Sequence, residues 1–127
     1  MKIGYIWQIA IGNYIDFIDL GSNHITSLDV ISEKRKIIME IKNRYNTDNS
    51  SARQTNIRKL ENYKLDHPDY TCIYAVINDK THPRQIKPIN NSVMYYSGDC
   101  LLNYVFGSDK DKIVRFLTCT INTYLLD

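Results

Sequence analysis

Asp29, Glu40 and Lys42 are the residues of this chain whose types and spacing could do chemistry. They fall in two short stretches, Leu28-Asp29-Val30 and Ile37-Ile38-Met39-Glu40-Ile41-Lys42-Asn43, joined by a charged turn, Ser32-Glu33-Lys34-Arg35. Both stretches read as strands. Side chains alternate between the faces of a strand, so Glu40 and Lys42 share a face with Ile38, while Ile37, Met39 and Ile41 fill the other. A two-residue loop at Lys34-Arg35 sets Asp29 directly opposite Glu40, with Cβ atoms about 4.5–5.5 Å apart. Two carboxylates at that separation, with an ammonium one step along, could hold a hard divalent cation and a water, the equipment of metal-assisted phosphodiester hydrolysis. The arrangement depends on register, because a slip of one residue sends Asp29 to the other face. Glu-x-Lys is also a common tripeptide, and on an exposed strand it is a solvated ion pair worth about 0–1 kcal/mol.

The elements that would carry these residues follow from periodicity and punctuation. Residues 2–14 read as a helix with Ile3, Ile6, Trp7, Ala10 and Ile11 as its buried stripe. Residues 15–20 form a short strand or turn, and strands follow over 25–32 and 35–43. Ser51-Ala52-Arg53-Gln54 has the form of a capping box opening a helix that runs to about His67, stopped by Pro68. Thr71 to Ile77 is a continuous β-rich run, as expected of a strand covered on both faces. Residues 79–91, with Pro83 and Pro88, read as a polar loop, and Ser92–Tyr96 as a further strand. Two helices close the chain, Asp99–Phe106 and Asp109–Leu126, separated at Gly107; Ile113, Phe116, Leu117, Ile121 and Tyr124 give the last one core spacing. The order describes one α/β domain over residues 1–127, a mixed β-sheet flanked by helices.

Composition narrows the function classes. The 127 residues carry a formal net charge of only +2. Its distribution is uneven: residues 33–64 hold nine Lys/Arg against four Asp/Glu, around and just after the acidic pair, where a phosphate backbone would lie. A solvated helix face would give the same run. Cys72, Cys100 and Cys119 are three widely spaced cysteines without a Cys-x-x-Cys, which fits reduced thiols in the cytoplasm and argues against a zinc knuckle. His24, His67 and His82 are scattered without ligand spacing. The apolar N-terminus is interrupted by Gln8, Asn13 and Asp16 and reads as an amphipathic helix; no segment is long and apolar enough to span a membrane.

Directly after the Glu40-x-Lys42 pair comes Asn43-Arg44-Tyr45-Asn46-Thr47-Asp48-Asn49-Ser50-Ser51. With Asp29, this segment resembles type II restriction endonucleases of the PD-(D/E)xK superfamily, and within them the group that cuts GGNCC-like palindromes. Members of that group show a similar Lys-Asn-x-x-Asn-Thr-x-Asn-Ser-Ser segment after the catalytic strand. Ile3-Gly4-Tyr5-Ile6-Trp7-Gln8 with Gly12 is similar to the helix that precedes the active site there, and Val93 to Asp99 is a further, weaker likeness. Leu28 stands where the superfamily usually has Pro before the catalytic Asp. The Pro-Asp pair that does exist, Pro68-Asp69, has no acidic strand after it and reads as a turn. Family members are generally longer, and Met1 falls almost at the matching helix, so an N-terminal extension serving dimerisation or base reading is expected to be missing.

The resemblance implies a restriction-endonuclease-like core and Mg²⁺-dependent hydrolysis of double-stranded DNA, with Mn²⁺ as a substitute. Asp29, Glu40 and the Ile41 carbonyl would hold the metal, and Lys42 would orient the attacking water and stabilise charge on the phosphate. Gln8 would reach the same site from the first helix, or is simply a helix-face amide. Asn43, Asn46, Thr47, Asn49 and Ser50 would reach phosphate oxygens or base edges, or satisfy a tight turn. Arg53, Lys59 and Lys64 would contact the backbone. Two-strand cleavage implies a homodimer, at least on DNA, and a restriction enzyme implies a cognate DNA methyltransferase as its functional companion. A repair or resolvase-type nuclease of the same fold, without strict specificity, and a catalytically idle DNA-binding remnant are the alternatives.

Overall fold

The computed structural model describes residues 3–21, 24–44 and 49–126. The elements are α1 (Ile3–Gly12), β1 (Ile18–Asp19), β2 (Val30–Ser32), β3 (Ile37–Arg44), α2 (Ser50–Asp66), β4 (Thr71–Asn78), β5 (Arg84–Pro88), β6 (Val93–Ser97), α3 (Gly98–Phe106) and α4 (Lys110–Leu126), with a single 3₁₀ turn over Gly107–Asp109. The strands form one six-stranded mixed sheet in the order β1-β2-β3-β4-β6-β5. Its centre is parallel: β3 pairs with β4, and β4 with β6. Each flank is antiparallel, β1 and β2 on one side and β5 on the other. A parallel centre needs crossover helices, and α2 supplies the one between β3 and β4.

Helices cover both faces, so β4 is buried from Cys72 to Ile77, as its unbroken apolar run requires. The odd-numbered residues of β3 (Ile37, Met39, Ile41) join Ile73, Ala75 and Ile77 of β4 in a core under α1, α3 and α4, which contribute Trp7, Ile11, Leu101, Phe106 and Leu117. Ile38 joins Tyr74, Val76, Tyr95 and Leu60 in a second core under α2. Each fully buried Ile or Leu contributes roughly 1.5–3 kcal/mol, and these two layers fix which way every side chain of β3 points. The β2–β3 turn is tied down as well. Arg35 donates from Nη1 to Val105 O at 3.0 Å and lies over the Phe17 and Tyr104 rings, 5.1 and 5.3 Å from their centroids. Its guanidinium thus neutralises the carbonyl end of α3.

Several boundaries differ from the sequence reading. The turn spans four residues, Glu33 to Lys36, and Lys36 takes a positive φ of 58°. The strand expected over 25–32 pairs only from Val30, since Thr26 and His24 engage in local side-chain bonds that curl the preceding segment. The cap of α2 is Asn49, whose Oδ1 accepts from Ala52 N at 2.8 Å, not Ser51. Residues 84–88, expected to be loop, form the edge strand β5. Its polar composition and terminal Pro88 suit an edge, where a missing N–H breaks no ladder. Phe116, expected in the core, is 69% exposed, while Leu117 beside it is buried.

Gly98 joins β6 to α3 with a φ of +52°, and a Cβ there would stand 1.8 Å from Pro83 O. Gly98→Ala therefore combines backbone strain with a collision against main chain that cannot swing away. It should cost at least about 2 kcal/mol, read as a lowered urea midpoint at an unchanged m-value. A midpoint within error of wild type would show that the β4–β5 loop is not held where it is described.

Candidate active site

The β2–β3 ladder pairs Val30 with Met39, Ile31 with Ile38 and Ser32 with Ile37. Continuing that register one step sets Asp29 against Glu40, as the spacing requires. The backbone at Asp29 is not regular. Its carbonyl accepts from Leu20 N at 2.9 Å while its amide donates to Met39 O at 3.1 Å. In a regular strand both groups of one residue face the same neighbour; here they face opposite ones, so the chain twists where β2 begins. Distortions of this kind re-aim side chains. The Asp29 carboxylate swings onto the edge of β3, and its Oδ2 accepts from Ile41 N at 2.7 Å. It thereby satisfies a β3 amide lying beyond the end of β2, and a charge-assisted bond of this type is worth about 1.5–3 kcal/mol.

Glu40 is 4% exposed. Burial first, then the hydrogen bond with Asp29 and that residue's charge, push its carboxyl up to about 9 against the opposing pull of Lys42 and Lys59. Two carboxyls in contact cannot both ionise cheaply, and the geometry favours the protonated form of Glu40. Lys42 is half-buried on the same face, two residues along β3. Lys59 comes from α2, with its Nζ donating to Oδ1 of the buried Asn56 at 3.3 Å. The site thus consists of two carboxyls and two ammonium groups at the covered edge of the sheet.

These groups fit a hard divalent cation. Among the described residues no three His, Cys, Asp or Glu cluster together, so a ligand-rich zinc-type cage is not offered. Two carboxyl groups completed by backbone oxygen and water are the usual donors for Mg²⁺ and Mn²⁺. A proton shared between the two carboxyls marks the place where a cation would be accommodated.

The other expected site residues are dispersed. Asn43, on the opposite face of β3 from Lys42, lines an open cleft of about 940 Å³ at the carboxyl ends of β3 and β4, with Trp7, Arg44, Asn78 and Arg84. Asn49 caps α2 and Ser50 is its exposed first residue. Asn46 and Thr47 lie outside the described residues. Arg53 lines a separate groove of about 160 Å³ with Tyr95, His82 and Lys87. Lys64 donates to the Pro68 and Tyr70 carbonyls at 2.8 and 2.7 Å and so ties down the α2–β4 turn. Gln8 is half-buried on α1, which packs on the face away from Glu40. Tyr63 stacks on His67 with centroids 4.1 Å apart, a packing role.

Asp79 escaped the sequence reading. It is 2% exposed at the end of β4. It accepts from the Tyr95 hydroxyl and, at 3.0 Å each, from the amides of Thr81 and His82. Burial opposes its ionisation, but these donors prevail and hold its carboxyl below the usual range. It organises the loop that forms one wall of the cleft. Asn56 also carried no signal as a buried residue; it stands one turn before Lys59 on α2, and the packing of that helix on the sheet buries it.

The model of the Eco47II restriction endonuclease family matches residues 2–101, a span that contains every residue of the acidic site. No curated protein matches the chain significantly.

Glu40→Gln should keep the bond to Asp29 while abolishing the charge. In the unfolded chain Glu40 ionises near 4.5, in the folded one near 9. Its raised value makes wild-type stability fall as pH rises through that window. In chelator at pH 7 the variant should therefore be more stable, by up to roughly 3 kcal/mol. Urea unfolding from pH 5 to 9 checks this; equal pH slopes for the two proteins would sink the assignment of the shared proton.

Proposed function

Since the chain belongs to the Eco47II restriction endonuclease family, we propose that it is a Mg²⁺-dependent type II enzyme cutting both strands of a GGNCC-like palindrome. The observation that carries this reading is the Asp29–Glu40 contact, with Lys42 beside it. Asp29, Glu40 and the Ile41 carbonyl would hold Mg²⁺ or Mn²⁺. The Ile41 N–H points to Asp29, and the carbonyl of a strand residue leaves on the same side as its N–H. When bound, the cation neutralises the scissile phosphate and lowers the pKa of water.

The protein's own groups do the rest. On loading of the cation Glu40 would release its proton to bulk water and become a carboxylate ligand. Asp29 is kept in place by the Ile41 amide. Lys42 holds the attacking water by hydrogen bonding and meets the charge that develops on the phosphate oxygens. Lys59 offsets charge from the α2 side. Asn43, Asn46, Thr47, Asn49, Ser50 and Arg53 contact the duplex; Asn49 does so through its amide nitrogen, because its Oδ1 caps α2. The enzyme works in the cytoplasm beside a methyltransferase that protects the host's own sites.

Asp29→Ala and Glu40→Ala should each lower cleavage at least about 1,000-fold with duplex binding retained, as expected when the groups that stabilise the transition state are removed. Lys42→Ala should lose activity to a similar extent yet keep divalent-ion affinity, because an ammonium is not a ligand. Plasmid cleavage and ion titration check this. Wild-type rates in both carboxylate variants would overturn the site.

One chain carries one acidic pair, so cutting both strands of a palindrome calls for two copies related by a two-fold axis. Light scattering should give a dimer's mass with a palindromic duplex present. A monomer on DNA that only nicks would exclude paired cutting.

A further inference from the structure

Asn78 at the end of β4 donates from Nδ2 to Asn43 Oδ1 at 3.2 Å, in an exposed position. The register places Asn78 beside Arg44 and Val76 beside Lys42. By alternation Asn43 belongs to the cleft face of the sheet, while Asn78 belongs to the face of Glu40 and Lys42. Their bond therefore crosses the end of the sheet and joins the catalytic side to the cleft, which both residues line. Arg44, Lys80 and Arg84 line the same cleft, and cations there suit flanking phosphates.

The bond leaves a defined remainder. Asn43 keeps its Nδ2 donors and Asn78 keeps its Oδ1 acceptor, so the pair presents a donor and an acceptor side by side. A base pair presents the complement in the major groove: an A·T pair sets the adenine N6 donor beside an N7 or O4 acceptor, and a G·C pair sets the guanine O6 acceptor beside the cytosine N4 donor. Both amides sit on strands rather than on a loop, which holds such a fork in place. Asn43 directly follows Lys42, so what the fork touches lies within a nucleotide or two of the scissile phosphate.

We infer that Asn43 and Asn78 form one reading unit that recognises the major-groove donor and acceptor edge of one base pair beside the cut, whose identity selection of bound duplexes reads. The inference rests on the nuclease reading above and adds Asn78 as a specificity determinant. Neither Asn43→Ala nor Asn78→Ala touches the core, and the second should be as damaging as the first.

The test is selection of bound duplexes from a pool with a randomised centre, with Mg²⁺-dependent cutting of the same pool measured in parallel. Wild type should enrich one palindrome. Each variant should lose about 10- to 100-fold of its preference at one symmetric pair of positions and keep the rest. Asn78→Asp, which removes the donor, should do the same. Retained preference at every position in Asn43→Ala and Asn78→Ala, with cutting intact, would overturn the reading unit and leave the nuclease standing. Selective binding lost at one position, in a protein that cuts nothing, would support the unit and overturn the hydrolytic reading. A uniform loss across all sequences would assign the pair a structural role and overturn its part in specificity.

Discussion

Asp29 can meet Glu40 only while β2 lies against β3 with Val30 opposite Met39. A shift of one residue would turn Asp29 to the wrong face and break the carboxyl pair. That register is held from several sides. Val30 and Met39 are buried in one core, Ile31 and Ile38 in the other, so a slip would exchange the two faces. Arg35 binds the turn to α3. Asp29 itself contributes through its bond to Ile41 N. The carboxylate proposed as a metal ligand thus also fastens the pairing that brings it to Glu40.

Such a site needs a rigid surrounding, because a buried carboxyl pair disfavours folding. The parallel centre supplies it. β4 is covered on both faces, and Tyr74 and Val76 line up in register beside Glu40 and Lys42. Apolar burial on that scale outweighs the desolvation of one glutamate. Lys42 and Lys59 reduce the cost without cancelling it.

The sequence made the active strand legible because period-2 alternation is local. Glu40 and Lys42 on one face, and Ile37, Met39 and Ile41 on the other, follow from adjacent residues alone. The pairing of Asp29 with Glu40 was legible for the same reason, since four charged residues bound the turn tightly enough to fix its register. The cap of α2 was not. Asn49 and Ser51 both have capping side chains, and choosing between them depends on where the backbone enters the helix. β5 was missed because an edge strand need not alternate or be apolar, and its two flanking prolines read as loop. Asp79 could not be recognised, since its partner Tyr95 stands sixteen residues away and meets it only through the β4–β6 pairing. Of the neighbours Phe116 and Leu117, both expected in the core, α4 buries only Leu117, because adjacent helix positions point about 100° apart.

The two faces of the sheet have different physical characters, and that division suits the proposed combination of hydrolysis with recognition. Under α2, Glu40 is buried against Asp29, and low exposure to water strengthens the charge interactions there. At the carboxyl ends of β3 and β4, on the side of α1, α3 and α4, the surface is open, and amides and guanidinium groups stand in solvent. Chemistry gains from the first setting, because preorganised charge acts best where water cannot screen it. Reading a base edge gains from the second, because the groove must approach without displacing core. Strand geometry joins them: consecutive residues of β3 point to opposite faces, so Lys42 and Asn43 stand in the two settings with no linker between them. Asp79 and its loop hold the far wall of the open side, so that the cleft keeps its shape although few of its residues are buried.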